Sequence, residues 1–415
     1  MSFDLSAVRA QFPALSIEDD GKRRIYFDNP AGTQVSKRVA DAVAACLLES
    51  NANIGGYFAT SQRAGEIVNA ARGAMADLLN ARSPEEIVFG QNMTTMTLHL
   101  SRSIGRLLSP GDEIVLTRMD HDANVWPWVM LADDLGLEVK WLPFDTETFE
   151  FDLAVLDTLL SDRTRLLCFG GASNLTGTIN DVKAICAKAR DAGVMTFVDA
   201  VQSVPHIATD VQDLGCDLLA CSSYKFFGPH QGVLWGRADL LAQLEPYKVR
   251  PASAKIPECF ETGTQSHEGF AGITAAVDYF AWIGETMTGA SDRPAALRAA
   301  MDLLFDYEQS LSARLIEGLT GIAGVTVQGI TSADALHRRA PTVSFTHATA
   351  TPASIAEALA GENIFVWNGH NYAVELARAL GIYESGGAVR IGPVHYNSIA
   401  EIDETIDVID RILTR

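Results

Sequence analysis

Between about residues 85 and 235, short apolar runs alternate with stretches of helical periodicity, and this alternation restricts the fold more than any other feature of the chain. Ile87-Val88-Phe89 leads into a helical stretch from Met93 to Leu108. Ile114-Val115-Leu116, Val139-Lys140-Trp141-Leu142, Leu166-Leu167-Cys168-Phe169 and Met195-Thr196-Phe197-Val198 follow in turn. Strands separated by helices join through crossovers, so the pattern predicts an α/β fold with a largely parallel sheet covered on both faces. One crossover is legible in full. Asp181 caps a helix whose apolar residues Val182, Ile185, Cys186 and Ala189 recur at helical spacing, and Gly193 ends it before the next strand.

Beyond about residue 290 the pattern changes. A long helical stretch from Pro294 to Leu319 precedes Val325-Thr326-Val327, Thr342-Val343-Ser344-Phe345, Ile364-Phe365-Val366 and a final helix from Ile399. With 415 residues the chain exceeds the size at which one core stops growing. We therefore expect an N-terminal segment, 1–22, packing near a small C-terminal α+β domain, 289–415, with a large domain over 23–288 between them.

Composition narrows the function. The 52 Asp and Glu against 32 Lys and Arg give a net charge of −20, which repels nucleic acid and anionic membranes. No apolar run reaches membrane-span length, and Met1-Ser2-Phe3-Asp4-Leu5 lacks a basic region leading into an apolar one, so we expect a cytoplasmic protein with neither nucleic acid nor membrane as partner. The six cysteines include no Cys-x-x-Cys pair and read as small buried hydrophobes; no metal site is expected.

Polar residues stand just after successive strand candidates, where the loops of an open parallel sheet form its ligand crevice. Gly90-Gln91-Asn92-Met93-Thr94-Thr95 opens a helix and offers amides and hydroxyls to a phosphate, although an ordinary cap explains it equally well. His121 can stack on a flat ring and assist proton transfer. Asn174, in Ser173-Asn174-Leu175-Thr176-Gly177-Thr178, can face a ring oxygen or a carboxylate. Asp199-Ala200-Val201-Gln202 ends another apolar run, and Lys225 follows the run Asp217–Cys221 within Ser222-Ser223-Tyr224-Lys225-Phe226-Phe227-Gly228-Pro229. A buried carboxylate paired with such a lysine suits pyridoxal phosphate: the lysine bonds the aldehyde and the carboxylate keeps the ring nitrogen protonated.

Taken with Tyr26 to Gln34, Phe260-Glu261-Thr262-Gly263-Thr264 and Val389-Arg390-Ile391-Gly392, these stretches give eight motifs in order. Over nearly its whole length the chain resembles the fold type I pyridoxal-phosphate enzymes of aminotransferase class V, close to the cysteine desulfurase and selenocysteine lyase branch. The resemblance implies catalytic roles for Lys225, His121 and Asp199. It places Gln202 at the ring hydroxyl, Thr94, Thr95 and Ser222 at the phosphate, and Thr264 at the phosphate of a neighbouring subunit, which implies a homodimer with shared sites. Arg390, with Asn174, is expected to hold the carboxylate of an amino-acid substrate.

Three positions depart from that branch. Trp367-Asn368-Gly369-His370-Asn371-Tyr372-Ala373 stands where the desulfurases carry an Arg-Thr-Gly-His-His-Cys-Ala-like stretch, so Tyr372 occupies the place of the catalytic cysteine and Trp367 that of an arginine. Tyr224 replaces a histidine. A phenol stays protonated near neutral pH and cannot accept sulfur as a thiolate does. The expected activity is therefore that of a desulfurase-like carbon–sulfur lyase without a persulfide-forming cysteine; the alternatives are a class V aminotransferase, an amino-acid epimerase, or a noncatalytic cofactor-binding protein. Tyr372 is counted with the substrate-facing residues, and the aromatic at Trp367 suggests a less anionic, more apolar substrate.

Overall fold

The computed structural model describes residues 3–414; Met1, Ser2 and Arg415, at the ends of the N-terminal segment and the small domain, lie outside it. At its centre is a seven-stranded sheet built from β1 (Ile87–Gly90), β2 (Glu113–Thr117), β3 (Glu138–Leu142), β4 (Thr164–Gly170), β5 (Met195–Asp199), β6 (Leu218–Ser222) and β7 (Gly232–Gly236). Their spatial order is β1-β7-β6-β5-β4-β2-β3. Only β7 runs against the rest, pairing antiparallel with both β1 and β6.

The apolar runs are continuous because both faces are covered, and the two-residue period sorts their side chains. Leu167 and Phe169 enter one core with the helices Ala59–Leu79, Val182–Asp191 and His267–Thr288. Leu166 and Cys168 enter the other, with the helices Met93–Gly105 and Trp126–Leu135. Each such fully buried Leu or Val contributes roughly 1.5–3 kcal/mol of apolar transfer free energy. The expected crossover helix forms over Val182–Asp191, with the Asp181 carboxylate accepting the Ala184 amide at 3.0 Å.

A four-stranded antiparallel sheet of β8 (Val325–Gln328), β9 (Val343–His347), β10 (Trp367–Gly369) and β11 (Ala388–Ile391), ordered β8-β9-β11-β10, packs on the final helix Ile399–Leu413 and the second half of the helix Arg293–Thr320. Ile364-Phe365-Val366, expected as a strand of the small domain, leaves this sheet: Ile364–Phe365 pairs in parallel with Ile25–Tyr26, and the strand that joins the sheet begins at Trp367. Arg390 lies inside β11; its neighbours Val389 and Ile391 fill the core while its own side chain faces the other way. No described helix is long and apolar enough to cross a membrane.

Candidate active site

The carboxyl ends of β1, β2, β4, β5 and β6, together with β10 and β11, surround a cavity of about 450 Å³. Lys225, Asp199, His121, Asn174, Gln202, Ser222, Thr94, Arg390 and Tyr372 all line it. They span almost 300 positions of sequence; those of the central sheet meet because its parallel strands deliver each following loop to the same edge, and Arg390 and Tyr372 are brought over it by the antiparallel small sheet.

Lys225 belongs to a single helical turn, Ser223–Lys225, directly after β6. Its Nζ donates to the carbonyls of Pro30 at 2.6 Å and Ala31 at 2.9 Å. Burial, reinforced by Arg390 and opposed by Asp28 and Asp199, lowers its pKa to about 7. Asp199 is the last residue of β5 and is 7% exposed. Burial raises it to about 6, against the pull of the Val201 amide, which its Oδ1 accepts at 2.9 Å, and of Lys225. Between these values and the alkaline range the site holds a neutral amine beside an ionised carboxylate.

Burial, with Lys225 and Arg390 nearby, lowers His121 to about 3, so its ring is neutral. Nδ1 accepts the Ala123 amide at 3.0 Å, which puts the proton on Nε2. The Tyr372 ring stacks against it, with centroids 5.3 Å apart and planes inclined by 17°.

At the phosphate-type end, Asn92 caps the helix Met93–Gly105 in a reciprocal capping box with Thr95. Ser222 Oγ accepts the Met93 amide at 3.0 Å, leaving its own proton to donate. Backbones approach closely here: a Cβ on Gly232 would lie 2.5 Å from the Asn92 carbonyl carbon. Thr95 is turned into its cap and does not line the main cavity. It faces a neighbouring cavity of about 310 Å³ together with Thr264, and Gln91 borders both. Gln202 lines the main cavity with its amide donated to the Pro30 carbonyl at 2.8 Å.

Arg390, 4% exposed, donates through Nη1 to the Asn174 carbonyl at 3.0 Å. The Asn174 amide in turn donates to the Asn371 carbonyl at 2.6 Å. Buried Arg390 Nε and Asn174 Oδ1 have no partner. A buried donor and a buried acceptor left unpaired on residues that line one cavity are costly unless a ligand completes them. The site thus offers a recessed lysine, a buried carboxylate at a strand end, a flat neutral imidazole, a helix start with hydroxyls and a guanidinium with spare donors, a set that fits pyridoxal phosphate with an amino acid.

Sequence reasoning missed Asp120 and Asp28. Asp120 anchors the site by accepting the Gly170 amide at 2.8 Å and the Asn124 amide at 2.9 Å; burial, with Asp199 near, raises it to about 7. Its position beside His121 was the available signal. Asp28 is raised by burial, against the attraction of Arg390 and Lys225, and its Oδ1 has no partner.

Comparison with known proteins adds an independent line. The family profile described as "Aminotransferase class-V" matches residues 25–405. An aminotransferase-like protein of Gibberella zeae, FGM3, is 34% identical over 99% of both chains. A cysteine desulfurase of Yersinia pestis is 32% identical, again over 99% of both. Among solved structures, a cysteine desulfurase of Thermococcus onnurineus superposes with a TM-score of 0.87 at 28% identity over 99% of this chain and 98% of that one. The Escherichia coli cysteine desulfurase CsdA gives 0.83 at 27% identity over 100% and 99%.

Proposed function

We infer the reaction from the premise that the chain belongs to the class V aminotransferases and is a pyridoxal-phosphate-dependent enzyme, and we propose that it is a carbon–sulfur lyase working without a persulfide-forming cysteine. One observation carries this reading: no cysteine is among the described residues lining the cavity, where Tyr372 stands at the mouth, 66% exposed. All six cysteines are buried, and burial raises every thiol, Cys186 to about 12. A thiol so placed is not the thiolate that sulfur transfer needs.

When bound, the cofactor supplies an electron-accepting ring that makes the substrate α-proton acidic. The chain's residues do the rest. Lys225 would hold the cofactor through its aldehyde, and its amine is placed to take the substrate α-proton. Asp199 would keep the ring nitrogen protonated, and neutral His121 would form a flat wall beside the ring. Thr94, Ser222 and the amides of the helix start would hold the phosphate, Gln202 would meet the ring hydroxyl, and Arg390 with Asn174 would orient the substrate carboxylate; Thr95, turned into its cap, is not among the phosphate ligands within one chain. Thr264 reaches a neighbouring phosphate when two chains pair.

Incubation of the holoenzyme with cysteine and S-substituted cysteines, with sulfur product, pyruvate, ammonia and alanine all quantified, tests the proposal. Elimination gives pyruvate and ammonia in equal amounts with a sulfide or thiol. Alanine as the product of cysteine would contradict it. The likeness to the Gibberella zeae aminotransferase-like protein supports a second reading, amino transfer; turnover only in the presence of an amino acceptor would favour that one.

A further inference from the structure

We propose that Trp367 and Tyr372 form an aromatic wall that selects amino acids with uncharged, apolar or ring-bearing side chains. The inference rests on the reading above, in which Arg390 takes the substrate carboxylate and Lys225 the amino end.

The first support is register. Trp367 and Arg390 are Cα partners in the antiparallel pairing of β10 with β11, and directly opposed residues project to the same face. Both line the cavity. An amino acid whose carboxylate sits on Arg390 therefore lies beside an indole that is 53% exposed.

The second is the way Tyr372 is held. Its carbonyl accepts the Asp122 amide at 2.7 Å and its own amide donates to His370 Nδ1 at 3.1 Å. Asn371 and Tyr372 are consecutive non-glycine residues in the left-handed region, at φ 50° and 59°. Asn174 holds the Asn371 carbonyl, and Gly387 backs the loop so closely that a Cβ there would lie 2.1 Å from the Gly369 carbonyl carbon. With its backbone pinned at both amide and carbonyl and its ring stacked on His121, Tyr372 stands at the cavity mouth as a wall and not as a loosely tethered side chain.

The third is charge. Among the described lining residues Lys225 and Arg390 are the only lysine or arginine, and both are already assigned. Arg118 and Arg378, on the segments flanking His121 and Tyr372, are taken by Glu375. The walls that this chain supplies leave no lysine or arginine for a side-chain carboxylate, and the lining histidines are a neutral His121 and a His230 stacked on Tyr224, whereas two aromatic faces await an apolar side chain.

Titration of the holoenzyme with amino acids, read from cofactor absorbance, gives dissociation constants without requiring turnover. We expect S-benzyl-L-cysteine and L-phenylalanine to bind at least about tenfold more tightly than L-aspartate and L-glutamate. Tyr372→Ala and Trp367→Ala should weaken the ring-bearing ligands by about tenfold while leaving L-alanine within about twofold. Tyr372→Phe should keep the preference, and Trp367→Arg should shift it toward L-aspartate. Equal binding of aspartate, or ring-bearing ligands indifferent to both alanine variants, would overturn the proposal. So would the lack of any absorbance change in a protein whose cofactor borohydride still fixes to Lys225, an outcome that leaves the cofactor reading intact. Failure of that fixation would instead remove the reading on which this proposal stands.

Discussion

Lys225 is pulled in opposite directions. Burial disfavours its charge and Arg390 repels it, while Asp28 and Asp199 favour the ammonium, and the balance falls at about 7. Because only the neutral amine attacks an aldehyde, the rate at which cofactor-free protein takes up pyridoxal phosphate should rise with pH and level off above about 7. An ordinary lysine would keep rising toward about 10.4. Stopped-flow absorbance across pH 5.5 to 9.5 measures it, and a midpoint above about 9 would contradict the burial argument. What the sequence lets one read at this scale follows from chain geometry. Asp199 and Lys225 are visible because each ends or follows an apolar run. Asp28 is not, because its approach to Arg390 and Lys225 depends on the Ile25–Tyr26 strand pairing with Ile364–Phe365, a contact that no local pattern announces. Asp120 was adjacent to the residue singled out and was hidden by it.

The turn after Lys225 shows how an element fixes a residue. Phe227 is fully buried and non-glycine, yet has φ +68°. Its amide donates to Thr33 Oγ1 at 2.9 Å, and its ring meets those of Phe12, Tyr279, Phe280, His395 and Tyr396 edge-on. This packing outweighs a backbone cost of order 1–3 kcal/mol. Phe227→Ala should therefore lower the unfolding free energy by about 3–5 kcal/mol, measured by urea denaturation. A loss below about 1 kcal/mol would mean that the cluster does not hold the turn. The strands carrying the site were legible because two-sided burial makes them continuous apolar runs. The helices Lys37–Glu49, Ala59–Leu79 and His267–Thr288 lie outside the strand–helix alternation that guided the reading, and were not anticipated.

Across the whole molecule, one core straddles the expected boundary between domains. The helix Arg293–Thr320 puts Leu297, Ala300, Met301 and Leu304 into the core of the central sheet, and Leu311, Leu315 and Leu319 into that of the small sheet. Where they meet, the fully buried Glu308 accepts from His206 at 2.8 Å and from His395 at 3.1 Å, and His395 Nε2 meets the Tyr279 hydroxyl at 2.8 Å. These contacts tie the small sheet, with Arg390 and Trp367, to the core of the sheet that carries Lys225. Large apolar side chains are also exposed away from the site: Leu48 is 85% exposed, Tyr57 100%, Phe58 60% and Val249 70%. Such surface is expensive in water, and a second copy of the chain is the expected cover. Sedimentation should give twice the chain mass at micromolar concentration, and a monomer would remove the role assigned to Thr264. Everything assigned to the site depends on Lys225 bonding the cofactor. Borohydride reduction of the pyridoxal-phosphate-loaded protein, followed by peptide mass mapping, tests it most directly. The expected result is a cofactor-sized adduct on the Lys225 peptide that disappears in Lys225→Ala; an adduct on a different lysine, or none in protein that has bound the cofactor, would contradict the account.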